Sequence, residues 1–120
     1  MNNVTGKIIG AALEVHCAIG PGLLESAYQE CLAREFALRG IPFARQMPLP
    51  VIYKGVKVDC SYRLDFLIED VVLETKSVAG IDPIHVAQVM TYMKLGNWKL
   101  GLLINFNVVS LTDGIRRVAL

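Results

Sequence analysis

Apolar positions come in two rhythms along the chain. Ile8, Ile9, Ala12, Leu13, Val15, Cys17 and Ile19 recur at close to helical spacing and predict a first helix over 4–19. Gly20-Pro21-Gly22 ends it, because glycine suits a left-handed cap and proline cannot continue the ladder. Leu24, Ala27, Tyr28, Cys31, Leu32, Phe36 and Leu38 predict a second helix from 22 or 23 to 39, with Gly40 just past its end. The stretch 42–53 is extended but punctuated by Pro48 and Pro50, as in an edge or irregular strand. After a Lys54-Gly55 turn, 56–60 leads toward two strand-like runs, 64–68 and 71–73, separated only by Glu69-Asp70. Such a two-residue connection predicts a hairpin. Asp82 as N-cap and Pro83 at the first helical position start a third helix, which runs to about 95 and closes at Gly96-Asn97. The run 98–106 is apolar throughout, which predicts a strand buried on both faces. A short strand over 115–119 follows the Asp113-Gly114 turn. The expected order is α-α-β-β-β-α-β-β in one domain spanning 1–120, an α/β fold on a mixed sheet flanked by helices.

The hairpin carries the first chemistry. If Glu69 and Asp70 are the whole turn, Ile68 pairs with Val71, and counting outward sets Asp65 opposite Glu74. Alternation then puts Arg63, Asp65, Leu67, Val72, Glu74 and Lys76 on one face. Directly opposed carboxylates are destabilising alone, so the pattern calls for a divalent cation or the Lys76 ammonium as compensation. Two such carboxylates, with the Thr75 carbonyl as a further oxygen, suit a hard ion such as Mg²⁺ or Mn²⁺. Lys76 would orient a bound water or offset phosphate charge; beside a dication it is a poor base. A structural ion cluster is the plainer alternative, and an opposed acidic pair is a poor stabiliser compared with an apolar one.

Spacing says less about the remaining polar residues. Glu25 falls in the first turn of the second helix, with Tyr28 one turn on. Taken alone, Glu25 complements the helix dipole and Tyr28 fills the core. His85, Gln88 and Tyr92 share a face of the third helix, which packs back over the sheet; Gln88 there is either a surface amide or a positioner of water, lysine or phosphate. His16, near a helix C-terminus, reads as structural, and Gln46 as a surface residue.

Composition narrows the class. The chain is 53% hydrophobic and 19% charged, which excludes disorder. Its net charge of +1 supplies no bulk basic field, so a polyanion would need cations gathered by the fold from among Arg45, Lys54, Lys57, Arg63, Lys94, Lys99, Arg116 and Arg117. Three cysteines, Cys17, Cys31 and Cys60, form no ligand pattern and read as small buried thiols in a reducing cytoplasm. No signal peptide and no membrane-spanning run are expected, hence a cytoplasmic location and no membrane partner.

Several motifs in order resemble the GxxExxY family of the PD-(D/E)xK nuclease-like superfamily, over nearly the full chain. They are Gly22-Leu-Leu-Glu25-Ser-Ala-Tyr28 after Val15-His16 and Gly20-Pro21; Asp65 with Glu74-Thr-Lys76; Gln88-x-x-x-Tyr92; and Leu102-Leu-Ile-Asn105-Phe106. The superfamily's "PD" proline is replaced by Leu64. The resemblance implies a restriction-endonuclease-like αβββαβ core with an extra N-terminal helix. It also implies a Mg²⁺- or Mn²⁺-dependent nuclease acting on DNA or RNA. Glu25, Asp65, Glu74, Lys76 and Gln88 would form the catalytic set, Asp65, Glu74, Thr75 and Glu25 the metal set, and Tyr28 and Tyr92 would support them. The apolar composition and near-zero charge favour a different class as the alternative: a binding or regulatory module on a nuclease fold, acting as a homodimer or with a protein partner.

Overall fold

The computed structural model describes residues 3–58 and 62–120. Cys60, and with it the end of the extended stretch expected over 56–60, lies outside the described residues. Helices α1 (Asn3–Ile19) and α2 (Glu25–Leu38) precede strands β1 (Ala44–Pro48), β2 (Val51–Tyr53), β3 (Val56–Val58), β4 (Arg63–Ile68) and β5 (Val71–Lys76). Helix α3 (Pro83–Gly96), β6 (Leu100–Asn105), a 3-10 turn (Leu111–Gly114) and β7 (Ile115–Ala119) complete the chain.

Five strands form one sheet in the order β1-β4-β5-β6-β7, while β2 and β3 pair separately. The pairs β1–β4, β4–β5 and β6–β7 are antiparallel, and β5–β6, joined across α3, is parallel. The expected αβββαβ core is therefore present as α2, the meander β1-β4-β5, α3 and β6. Among the described residues, however, five strands rather than three precede α3. Pro48 and Pro50 cannot donate to a ladder, so the 42–53 stretch breaks at that point instead of running on. Beyond the break, Lys54 (φ 49°) and Gly55 (φ 80°) supply the left-handed pair of a tight turn, and β2 folds onto β3 as its own small hairpin.

The sheet is covered on both faces. Phe66, Ile68, Val71, Leu73, Leu102 and Ile104 pack under Ile8, Ala12, Val15, Leu32 and Phe36 of α1 and α2. Val72, Leu103 and Val118 pack against Val89, Tyr92 and Met93 of α3. As its continuous apolar run predicts, β6 is buried on both sides. Two sequence expectations are corrected. Leu24 is the N-cap of α2, in extended backbone, and is 77% exposed, off the helix face that Tyr28, Leu32 and Phe36 bury. Cys17 is exposed rather than buried, because the inward stripe of α1 runs through Ile8, Ala11, Ala12, Val15 and His16. His16 is structural in a specific way: its Nε2 bonds the Val108 carbonyl at 2.8 Å.

Helix α3 lies close to β6 because Gly101 has no side chain. A Cβ there would stand 2.8 Å from Met93 Sδ and 2.9 Å from Val89 Cγ1. Gly101→Ala should cost about 1–3 kcal/mol in urea unfolding through overpacking.

Candidate active site at the β4–β5 hairpin

The hairpin has the register that its two-residue turn dictates. Ile68 pairs with Val71, Leu67 with Val72 and Phe66 with Leu73, and Glu69 takes the left-handed turn conformation at φ 54°. The next step of that count opposes Asp65 to Glu74, and there the bonding changes. Asp65 donates its N–H to Glu74 Oε2 at 2.7 Å, and Thr75 donates its N–H to Asp65 Oδ2 at 2.9 Å. Thr75 Oγ1 adds a second donor to that same Asp65 oxygen at 3.1 Å. Side-chain carboxylates thus take the place of ladder carbonyls, and backbone amides supply part of the compensation that an opposed acidic pair requires. On its other edge, Asp65 falls opposite Gln46 in the β1–β4 count, and Gln46 sits at φ 53°. The sheet opens around Asp65 on both sides.

Helix α2 approaches this opening through a loop closed by its own tyrosine. Gly20 (φ 71°) and Gly22 (φ 96°) take left-handed turns that disfavour any side chain. Tyr28 Oη donates to the Gly20 carbonyl at 2.6 Å and accepts the Leu23 N–H at 3.2 Å. Its ring, fully buried, stacks on Phe106 at 4.6 Å. Ser77 Oγ holds the Leu23 carbonyl at 2.6 Å, tying the loop to the end of β5. The spacing of Gly22, Glu25 and Tyr28 thus has a physical reason: the tyrosine fixes the loop that delivers Glu25. Burial, then the Asp65 charge, raises the Glu25 pKa, while Lys76 and His85 pull it down.

Sequence reasoning missed Gln29. It is 8% exposed and lies one turn beyond Glu25. Its Nε2 donates to Thr75 Oγ1 at 3.0 Å and reaches Glu25 Oε2 at 3.5 Å, and its Oε1 accepts from Gln46 Nε2 at 3.1 Å. Gln46 is exposed, as expected, yet it anchors this relay. The available signal was helical spacing: Gln29 shares the inward stripe of Leu32 and Phe36, and a buried amide there has to find partners.

From the other face of the sheet, α3 contributes the expected trio. Lys76 Nζ donates to Gln88 Oε1 at 3.4 Å, and Gln88 Nε2 donates to Tyr92 Oη at 3.0 Å. His85 accepts the Asp82 N–H through Nδ1 at 3.0 Å, so it also serves the start of α3. Among the described residues the ion pairs are Arg39–Glu35 and Arg45–Glu30, and Lys76 belongs to neither. Glu74 is 4% exposed, and burial, reinforced by the Asp65 charge, pushes its pKa up to about 8. Asp65 is raised by burial as well, against the pull of its Thr75 hydrogen bonds.

The structure therefore brings Asp65, Glu74 and Thr75 into direct contact and joins Lys76, Gln88 and Tyr92 in a chain beside them. Glu25 stands in their electrostatic field. Among the described residues no three His, Cys, Asp or Glu side chains gather at metal-holding spacing. In kind, the donors fit a hard divalent cation. The hydrogen bonds among the described residues engage Oε2 of Glu74 and Oδ2 of Asp65, which leaves Oε1 and Oδ1 for an ion. A pair whose ionisation is resisted by burial and mutual repulsion is one that a cation would stabilise.

Fold and hairpin together define a mixed α/β protein of nuclease type, with an Asp opposed to a Glu-x-Lys strand. A family model of the PD-(D/E)XK nuclease superfamily matches residues 2–118, and the chain belongs to that superfamily. PD-(D/E)XK nucleases generally use divalent metals. Comparison with curated proteins and with solved structures gives no match. Among the described residues, no helix is long and apolar enough to cross a membrane.

Two outcomes follow from this geometry. Folded Glu74 holds its proton up to about pH 8, against an ordinary value of 4.5, so unfolding between those limits releases a proton. Stability in metal-free buffer should fall as pH rises through that window, the sign expected when the native state binds more protons. Thermal unfolding from pH 5 to pH 8 in a chelator checks this, and Glu74→Gln should flatten the profile and raise Tm at the alkaline end. Gln29→Leu leaves Thr75 Oγ1 and Gln46 without their buried partner and should cost about 1–3 kcal/mol in chemical denaturation.

Proposed function

We propose that the protein is a metal-dependent nuclease that hydrolyses phosphodiester bonds of nucleic acid. One observation carries the reading. Asp65 and Glu74 are held face to face and largely out of water, with Lys76 on the same strand outside any ion pair among the described residues. Membership of the nuclease superfamily supports it.

In this reading Asp65, Glu74 and the Thr75 carbonyl hold Mg²⁺ or Mn²⁺. The ion, when bound, lowers the pKa of a water and offsets charge developing on the phosphodiester. Glu25 completes the shell around that water by accepting a hydrogen bond from it. Lys76 positions the nucleophile and faces the phosphate; Gln88 holds the ammonium in place, and Tyr92 holds Gln88. Tyr28 acts through the loop that sets Glu25. Preorganised groups of this kind act on charge as it develops, which is where fixed donors contribute most. The Gly22-x-x-Glu25-x-x-Tyr28 motif supports grouping the protein with GxxExxY-type members of the superfamily.

A second reading, a binding or regulatory module that dimerises or docks on a partner, is favoured by the β2–β3 hairpin. Ile52, Tyr53 and Val56 are 64%, 64% and 65% exposed there, which is unusual for residues of that size. A two-stranded hairpin with so little burial is marginal alone.

Incubation with single- and double-stranded DNA and RNA, with Mg²⁺ or Mn²⁺, separates the two. The nuclease reading expects cleavage of at least one substrate, lowered about 100-fold or more by Glu74→Gln and by Lys76→Ala. Absence of cleavage, or cleavage indifferent to both substitutions, overturns it. A dimer by sedimentation with no metal uptake in calorimetry would instead support the module.

A further inference from the structure

We infer that the groove between α3 and Tyr62 seats an unpaired nucleobase, so that the nucleic acid taken by this site is single-stranded. The inference deepens the nuclease reading and rests on it for the class of ligand.

The groove is a cavity of about 660 Å³ whose walls include Val51, Tyr62, Ile84 and Tyr92. Lys76 and Gln88 line the same cavity. Through Lys76 it reaches the strand that carries Glu74. Tyr62 is 49% exposed and meets Tyr92 only at 6.1 Å with the rings tilted by 54°, so among the described residues no ring stacks face to face on it. Ile84 is 69% exposed on the same wall. An aromatic ring beside aliphatic side chains, with an ammonium and an amide at hand, suits a flat heteroaromatic with a phosphate attached.

Charge selects single strands over duplex. A duplex is gripped through its phosphates, and each contact needs a cation. This chain has a net charge of +1, and several of its arginines are already engaged. Arg45 is bidentate to Glu30, Arg39 is paired with Glu35, and Arg63 and Arg116 donate to the carbonyls of Gln46 and Asp113. Among the residues that line the groove, Lys76 is the one lysine or arginine, so affinity there has to come from stacking, and only an unpaired base offers its faces to a side chain. Stacking platforms serve single-stranded binders in this way and tolerate any base.

Anisotropy of labelled oligothymidylate and of a matched duplex, both in a chelator to prevent cleavage, tests the inference. The single strand should bind more tightly than the duplex and with a shallow salt dependence. Tyr62→Ala should weaken it by about five- to 150-fold, the range measured per stacked base, while Tyr62→Phe should bind as the parent does. Ile84→Glu, a surface change that spares the fold, should weaken it too. Preference for duplex, or single-strand affinity unmoved by Tyr62→Ala and Ile84→Glu, overturns the groove. If cleavage nevertheless depends on Glu74, the nuclease reading stands without it. Tyr62-dependent binding with no cleavage in Mg²⁺ or Mn²⁺ has the opposite meaning: the groove stands and the nuclease reading falls. Failure to bind any oligonucleotide, with an apolar peptide bound instead, rejects the groove as a base site.

Discussion

Two hydrogen bonds at the open end of a hairpin organise this protein: the Asp65 amide on Glu74, and the Thr75 amide on Asp65. In an ordinary ladder those amides would meet carbonyl oxygens. Here they meet side-chain carboxyl oxygens, and such hydrogen bonds become shorter and stronger when the acceptor is ionised. The exchange orients both acids and keeps them side by side despite their repulsion. It does not make them comfortable. Both remain raised by burial. A site held in that condition is poised to take up positive charge.

Everything around the pair limits its freedom to relax. On one edge β5 is locked to β6 by a parallel register that runs from Val71 to Lys76 against Leu100 to Asn105. Asn105, 1% exposed, then pins the chain beyond Lys76, its side chain bonding both the N–H and the carbonyl of Val78 at 3.1 and 3.0 Å. Helix α2 reaches Thr75 through Gln29 from one face, and α3 reaches Lys76 through Gln88 from the other. Each support is an amide, which can donate to one partner and accept from another without adding charge. Neutral supports leave the balance of charge to the acids, the lysine and whatever cation they bind.

Much of this was legible in the sequence, for identifiable reasons. Asp65 and Glu74 could be opposed on paper because a two-residue turn fixes register and side chains alternate strictly about it. Their bonding pattern was not legible, since periodicity counts positions and does not distinguish a carboxylate beside a ladder from one inserted into it. Helix α3 and its His85, Gln88, Tyr92 face followed from a proline-led start and simple spacing. The Lys54-Gly55 turn was legible, but the pairing of β2 with β3 as a hairpin of their own was not, because the break at Pro48 and Pro50 tells where a strand stops, not where the chain goes next. Gln29 escaped notice because a lone amide on a helix reads as surface until its neighbours are known to be core. Exposed Cys17 was misplaced for the converse reason: cysteine is usually inside, but its position one residue past the buried stripe of α1 turns it outward.

The distribution of charge joins the acidic pair to the groove beside it. Once ionised, Glu25, Asp65 and Glu74 oppose the approach of a phosphate, and Lys76 alone on β5 cannot offset three carboxylates. Arg45 and Arg39 are paired with Glu30 and Glu35, and Arg63 and Arg116 donate to backbone carbonyls. In the nuclease reading, cation and phosphodiester therefore have to bind cooperatively: each supplies the charge that the other lacks, and by linkage each raises the affinity for the other. The uncharged part of the substrate escapes this constraint. A base held by Tyr62 contributes the same binding free energy whether or not the ion is present, which would let the chain be captured first and its backbone be drawn toward the acids when the cation arrives. On that reading the site would be selective through what it stacks and reactive through what it coordinates, with Lys76 and Gln88 standing between the two functions.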